Sequence, residues 1–540
     1  MRKLLKWLVL SLMVCSLTIA CNNISSQNSA PGSKAAARDP NALQILSGSE
    51  NRDLATLVEE FGKSQGVPVQ FDYAGSVDIM RELANGANSQ YDAVWPASSI
   101  WSMLGDQKHV LKEQRSIYRT PIVFAVKKSL AQSLGWTSKE VSLDDILTAA
   151  EAGKLKFMTT SATQSNSGAM QLLASLSNFA GNPQVLEMKN LQDPAVLSKM
   201  KRLYQKVDRT AGSSGWLKDL FVKSYDRYDA MFNYEFLVAQ ANAELKASGK
   251  EPLYVIYPKG GIAIADSPLA LVDKGNAEKA AAFSKVQAFL TSPDTQNKLS
   301  TTGRRTGLGI TPSHVDASVF DPANGFDAKR VLTPINIPEP NVIQTALNSY
   351  QSTLRKPSAT VYTLDFSGSM AGKGEEQIRA AMSLLLDQKK ASEYLIQGTA
   401  NDISIVIAFN SDVIDVRAIN GNNPAQMAQL EQFVYSLHAD GGTNIYAAAA
   451  RGLQEIKNIP QLQNYAVSQI LMTDGESEGN LDALQTTYQQ LGLEGVPIHA
   501  ILFGDASTTQ LSQIADMTHG KLFDGQSDLI KAFREAKGYN

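Results

Sequence analysis

Cysteine is nearly absent from this chain: Cys15 and Cys21 stand alone among 540 residues. An internal disulfide framework is excluded, because Cys15 lies in a segment that reads as a removable leader. Histidine is almost as scarce. His109, His314, His438, His499 and His519 are scattered without metal-ligand spacing, so a zinc hydrolase finds little support. Charge of one sign is lacking too. The formal balance of −3 gives no electrostatic case for nucleic acid. Past the amino terminus no run approaches the about 18 consecutive apolar residues that read as a membrane span. What is present is ordinary for globular protein, with 43% hydrophobic and 19% charged residues. The length exceeds one core, and at roughly 150 residues per domain it predicts three or four folding units.

Arg2, Lys3 and Lys6 form a basic start, followed by an apolar stretch over 7–20 that is too short to span a bilayer comfortably. Residues 1–20 therefore read as an export signal. Leu17-Thr18-Ile19-Ala20-Cys21 resembles a bacterial lipobox, with the small residue before Cys21 in place and the Leu one position early. That resemblance implies lipid attachment at Cys21 and a membrane anchor facing the periplasm or the cell exterior. Ordinary cleavage after Ala20 stays open and leaves the same first residue. Residues 21–42, rich in Ser, Asn and Ala, read as a flexible tether.

From residue 43 strand and helix alternate. Strands are predicted over 43–46, 67–73 and 91–95, with helices over 52–64 and 77–84. A long apolar strand over 117–126 opens a second unit. It closes with strands over 253–257 and 262–272 and helices over 277–290 and 294–301. Pro312, Pro322, Pro334, Pro338, Pro340 and Pro357 punctuate a connector over 311–357 with one helix over 341–354. Alternation then resumes, with strands over 361–365, 403–409, 468–473, 498–503 and 521–523. The last of six helices spans 528–536, with Ser527 as its N-cap. The predicted fold class is α/β: a two-lobed unit over 43–310, then a doubly wound Rossmann-like sheet over 358–540.

Three short segments carry chemistry. Asp365-Phe366-Ser367-Gly368-Ser369 ends a strand, Asp440-Gly441-Gly442-Thr443-Asn444 precedes a helix, and Asp474-Gly475 follows a strand. In open α/β sheets ligands sit beyond the carboxyl ends of the strands, so the three loops can converge. Carboxylates with hydroxyls suit a hard divalent cation. Mg²⁺ takes six oxygens, keeps several waters and uses one or two carboxylates. Mn²⁺ fits the same donors, and Ca²⁺ stays open although it more often gathers more carboxylates. Neutral hydroxyls leave the ion electrophilic toward a carboxylate presented by a partner protein.

The segment resembles a von Willebrand factor A (VWA) domain with its metal-ion-dependent adhesion site, whose pattern falls on Asp365, Ser367, Ser369, Thr443 and Asp474. The resemblance implies direct ligation by Ser367 and Ser369, ligation through water by Asp365 and Asp474, and state-dependent ligation by Thr443. Two other readings compete: a polar loop that caps a helix, and a metal-dependent hydrolase. A phosphatase with Asp365 as nucleophile would be expected to carry a second Asp at position 367 as general acid, where Ser stands. Ser367 and Ser369 lack a Gly-x-Ser-x-Gly elbow, and His438 and His519 are isolated. Binding without catalysis is the expectation.

In the first unit the candidate ligand contacts are Ser47, Ser49, Ser76, Ser98, Ser161, Thr163, Ser165 and Asn166. Several precede predicted helices, where hydroxyls and N–H groups can meet an anion. The same residue types cap helices with or without a ligand. Leu46-Ser-Gly-Ser49, Tyr91-Asp-Ala-Val-Trp95, Ala265-Asp-Ser-Pro-Leu-Ala-Leu271 and the run from Ala282-Phe283 through Ser292-Pro-Asp-Thr-Gln296 to Gly303 resemble bacterial periplasmic solute-binding proteins of type 2 topology. The resemblance implies lobe one over 43–118 and 266–310, lobe two over 119–265, and closure on a small anionic or polar solute. The expectation is a cell-envelope binding or adhesion protein. The alternative is the solute receptor of an ABC-type importer, with the second module for docking.

Overall fold

Three sheets order the chain, in a computed structural model that describes residues 38–307, 315–477, 479–504, 506–526 and 528–539. The expected export signal, Cys21 and most of the expected tether lie outside these residues. Among the described residues no helix is long and apolar enough to cross a membrane.

Leu43–Ser47 seeds the first sheet, with all five residues buried as a strand covered on both faces requires. It pairs in parallel with Val69–Tyr73 and Ala93–Trp95. Much later the chain returns to add Pro268–Val272 antiparallel to Ala93–Trp95, with Leu111–Ser116 outside it. The second sheet grows on Thr120–Lys127, which Ala230–Tyr234 and Leu253–Ile256 flank antiparallel. Phe157–Thr160 and Val207–Ala211 extend it in parallel.

Two crossings join these sheets, and both interrupt strands that the sequence predicts as continuous. The stretch over 117–126 yields Thr120–Lys127, with residues 117–119 crossing from Leu111–Ser116 of the first sheet. The stretch over 262–272 divides into Ile264–Ala265 in the second sheet and Pro268–Val272 in the first. Ser267 turns the second crossing with a left-handed φ of 43°. That conformation is costly outside glycine, and a set of hydrogen bonds holds it. Ser267 N–H donates to Ala97 O at 2.8 Å, Ile117 N–H donates to Ser267 O at 3.1 Å, and Trp95 Nε1 donates to Ser267 Oγ at 2.9 Å.

The third sheet runs Val413–Asn420, Ile403–Phe409, Ser358–Asp365, Ala466–Thr473, Ile498–Leu502 and Leu522–Asp524. All its pairings are parallel except the edge strand Val413–Asn420. The central strand splits its side chains between two cores. Tyr362 and Leu364 pack with Ile378, Met382 and Phe533 on one face, while Ala359 and Val361 pack with Ile445, Leu453 and Ile498 on the other. The last helix, Leu529–Ala536, is capped by Asp528, whose side chain accepts from Lys531 N–H at 2.9 Å. Ser527, the expected cap, lies outside the described residues. The connector helix spans Pro340–Ser349 and widens into a π turn over Tyr350–Leu354.

The third module packs on both lobes. Arg534 donates to Asp78 Oδ1 of lobe one at 2.7 Å, and its carbonyl accepts from Gln164 Nε2 of lobe two at 2.8 Å. Tyr539 sets its ring edge-on to Trp216, with centroids 4.9 Å apart. Deeper in, Arg305 and Glu235 form an ion pair with both side chains at 0% exposure, through bonds of 2.6 and 2.7 Å. Tyr257 Oη also donates to Glu235, and Arg305 reaches the connector carbonyls of Asp327 and Ala328 at 3.1 and 3.3 Å. Removing one member of such a pair strands a buried charge and costs about 3–5 kcal/mol. Denaturant unfolding of Glu235→Gln should therefore show a loss in that range, while Asp144→Asn at the exposed Lys199–Asp144 pair leaves stability nearly unchanged. A Glu235→Gln protein as stable as the parent would refute this role for the pair.

Candidate metal centre

The order of the third sheet reverses next to its first strand. From Ser358–Asp365 the chain adds Ile403–Phe409 on one side, then returns to place Ala466–Thr473 on the other. Loops that leave the two central strands therefore diverge above a crevice, where open α/β sheets bind ligands. Register sets Leu364 beside Met472, which brings Asp365 level with Thr473 and places Asp474 at the rim.

Asp365 is 0% exposed at the floor of this crevice. Its Oδ1 accepts from Ser367 N–H at 2.8 Å and its Oδ2 from Thr473 Oγ1 at 2.5 Å. Burial pushes the Asp365 carboxyl up to about 6, with the Asp474 charge adding to the rise and the Thr473 and Ser367 hydrogen bonds opposing it. A short 3₁₀ turn, Gly368–Met370, carries the chain outward. Ser367 Oγ and Ser369 Oγ lie 3.1 Å apart, and Ser369 Oγ donates to Asp474 Oδ1 at 2.7 Å. Thr443 completes the set. A Cβ at Gly475 would stand 3.0 Å from Thr443 Oγ1 and 3.4 Å from Ser369 Oγ, so both hydroxyls border the same small volume. Gly504, at φ +53°, leaves room beside Asp474 that a Cβ would fill at 2.8 Å.

The loops are tied to one another as well as to the sheet. Gly368 N–H donates to Gly441 O at 2.9 Å, Asp440 N–H to Phe366 O at 2.9 Å, and Asn410 Nδ2 to Asp440 O at 3.0 Å. Ser477 Oγ holds the Thr443 carbonyl at 3.3 Å. The five predicted residues thus meet in one place, graded from buried Asp365 and Ser367 to exposed Ser369. Thr473 is a sixth participant that the sequence reading omitted. Its signal lay in the strand register, which a single sequence does not display. Among the described residues no group of three or more His, Cys, Asp or Glu side chains gathers as a metal site. The donor set here is instead two carboxylates and three hydroxyls, all oxygen, and this fits a hard divalent cation such as Mg²⁺.

The candidate cleft residues divide. Asn166 faces the other lobe: it accepts from Trp101 Nε1 at 2.7 Å and donates to Tyr234 Oη at 2.8 Å. Ser47 Oγ accepts from Asn51 Nδ2 at 3.1 Å, and Ser76 Oγ from Ala97 N–H at 3.4 Å. Ser98 caps the helix Ser99–Gly105 through Ile100 N–H, while Ser165 sits at an N-cap without a capping bond and lies 3.3 Å from Ser214 Oγ. Ser49 lines a cavity shared by both lobes and the third module. Ser161 and Thr163, with hydroxyls 3.2 Å apart, line a cavity against the connector and the third module. Their position in a helix-initiating polar run gave no sign of that neighbour.

Residues 43–305 match the family model described as bacterial extracellular solute-binding protein, and residues 361–532 match the von Willebrand factor type A domain. Among curated proteins the chain is 28% identical over 160 residues to inter-alpha-trypsin inhibitor heavy chain H3 of Mesocricetus auratus, covering 28% of this chain and 17% of that one. It is 29% identical over 173 residues to calcium-activated chloride channel regulator 3A-1 of Mus musculus, covering 31% and 17%. The chain thus spans about a sixth of the length of these relatives. Among solved structures it is similar to the periplasmic binding protein AfuA of Actinobacillus pleuropneumoniae, with 13% identity, a TM-score of 0.41 and coverage of 52% of this chain and 89% of that one. The ferric binding protein of Campylobacter jejuni gives 14%, 0.41, 57% and 98%. The chain carries a bacterial extracellular solute-binding domain over residues 43–305 followed by a von Willebrand factor type A domain over residues 361–532.

Proposed function

We propose that the protein is an exported, lipid-anchored binding protein of the cell envelope whose VWA domain takes Mg²⁺ and, through it, a carboxylate of a partner protein. The observation that carries this reading is the convergence of Asp365, Ser367, Ser369 and Asp474, with Thr443 at the same spot, at the reversal of strand order. Bound there, Mg²⁺ supplies a Lewis-acidic position that a carboxylate oxygen can fill. The chain does the rest. Thr473 and the Ser367 amide orient Asp365, Ser369 links the first loop to Asp474, and the Gly368–Gly441 bond fixes the Thr443 loop. Ser369 is exposed, so the outer side of the site is open to a macromolecule. The solute-binding domain takes a small polar or anionic solute between its lobes, across which Asn166 of lobe two meets Trp101 of lobe one.

Mg²⁺ should raise the melting temperature of the parent protein, by about 2.7 kcal/mol of stabilisation at a hundredfold excess over Kd. Asp365→Ala should abolish that gain, and EDTA or the same substitution should release captured partner from envelope extract. Partner capture that survives both treatments would rule the reading out.

Acid should weaken the metal. A Mg²⁺ ion must displace the proton that Asp365 holds below about pH 6, so apparent affinity measured by calorimetry should fall roughly tenfold per pH unit beneath that value. Metal-free stability has the opposite sign. The folded state holds this proton more tightly than the unfolded chain, so this contribution is lost as pH rises from about 4 to about 6. An affinity that stays flat between pH 7 and pH 5 would contradict the assignment.

A further inference from the structure

A cavity of ≈ 80 Å³ lies at the mouth of the interlobe cleft, and the VWA domain roofs it. Ser49 and Gly75 line it from lobe one, Thr163 and Ser213 from lobe two, and Arg534 and Tyr539 from the VWA domain. Gly75 precedes the helix Ser76–Leu83 and Ser213 caps the helix Ser214–Lys223, so helix starts from both lobes meet under the roof. The lobes themselves touch, with Trp101 Nε1 of lobe one donating to Asn166 Oδ1 of lobe two at 2.7 Å.

The roof is fastened unequally. Against lobe two the packing interlocks. A Cβ on Gly212 would stand 2.2 Å from the Tyr539 ring, and a Cβ on Gly538 would stand 2.0 Å from the Gln164 side chain, so each glycine is a notch that the opposite part fills. Gln164 Nε2 donates to Arg534 O at 2.8 Å, Arg209 donates to His519 O at 2.9 Å, and the buried Tyr539 packs edge-on to Trp216. The connector joins the same body, with Tyr350 edge-on to Tyr204 and centroids 5.3 Å apart. Against lobe one the contacts are side-chain tips from a single helix, Ser76–Leu83. Asp78 Oδ1 accepts from Arg81 at 3.1 Å and from Arg534 at 2.7 Å, and Arg81 donates to Glu393 O at 3.2 Å. Both guanidinia lie over the Tyr394 ring, 4.9 and 5.1 Å from its centroid. Close-packed notches resist sliding, whereas polar tips can exchange their partners for water.

We propose that the VWA domain is a cap on the solute cleft: it travels with lobe two, and solute enters or leaves when the seam at Asp78, Arg81 and Tyr394 parts. Lobe one is then the moving body, turning about the crossings at residues 117–119 and Ser267. A solute that holds the lobes together also holds the cap down. The cap presupposes a solute cleft between the lobes, so its test reads cleft opening alone, without solute and in EDTA, and can fail while solute and partner binding stand.

The whole chain carries Cys15→Ser and Cys21→Ser to clear its own thiols, and Ser214→Cys adds one between the lobes. Ser214 is 2% exposed, and a Cβ on its neighbour Gly215 would stand 4.0 Å from Ser49 O of lobe one. The rate of maleimide labelling then follows separation of the lobes. Asp78→Asn combined with Arg81→Gln should speed labelling at least about fivefold, and Tyr394→Ala, from the other side of the seam, should speed it as well. The same variants should leave Ser175→Cys, placed inside lobe two, and Ser468→Cys, placed inside the VWA sheet, labelling as slowly as in the parent. An unchanged rate at Ser214→Cys overturns the cap, because the seam then holds nothing shut. An equal rise at all three thiols overturns it too, because the seam then supports the fold as a whole rather than the closed cleft.

Discussion

Arg305 and Glu235 are both wholly buried, and each is the other's counter-charge. Glu235 opens the helix Glu235–Ala247 of lobe two, Arg305 follows the last helix of lobe one, and the connector carbonyls of Asp327 and Ala328 accept further guanidinium bonds. Three parts of the chain are thus fixed by one requirement, that a charge removed from water be matched. The connector is held at this point, and the VWA domain beyond it is seated on both lobes by contacts of its own. An isolated pair of this kind adds little net stability over an apolar replacement. Its effect is to make other arrangements expensive.

The same requirement is met only in part at the metal centre. Asp365 lies as deep as Glu235 but has a hydroxyl and an amide for company rather than a guanidinium, and a second carboxylate nearby. On the proposed reading a cation would supply the remaining compensation, and the hydroxyls of Ser367, Ser369 and Thr443 would be oxygen ligands that add no negative charge. Incomplete matching is also why, on the same reading, a small rise in proton concentration would matter, because proton and metal would compete for one buried carboxylate.

Much of this was legible in the sequence where one residue's environment is set by its own strand. The run 361–364 ending in Asp365, and Asp474 after 468–473, fixed both strand ends and the loops above them. Legibility failed where the environment is tertiary. Val413–Asn420 shows mostly half-exposed or exposed residues, because an edge strand need bury little, so no apolar run marked it. The predicted strand over 262–272 looked continuous because Ser267 is an unremarkable residue in isolation, and its left-handed turn is held by Trp95 and Ala97 from another strand and loop. Ser161 and Thr163 read as a helix-initiating polar loop, yet both border the connector and the VWA domain, and Thr163 also faces lobe one. Thr473 was hidden because its partner, Asp365, lies 108 positions away.

The junction between the domains bears on how the cleft moves. Hinged lobes exchange solute by separating about their crossing strands, here residues 117–119 and the turn at Ser267. The helix Leu529–Ala536 contacts both lobes through one residue: the Arg534 guanidinium holds Asp78 of lobe one, and the Arg534 carbonyl takes Gln164 of lobe two. These bonds lie on opposite sides of the hinge, so separation of the lobes strains at least one of them. The Arg534–Asp78 pair is more than four-fifths buried on both sides, which shields it from the solvent screening that weakens exposed pairs. A VWA domain seated in this way ties the two lobes together, so opening of the cleft would have to stretch or break one of these bonds.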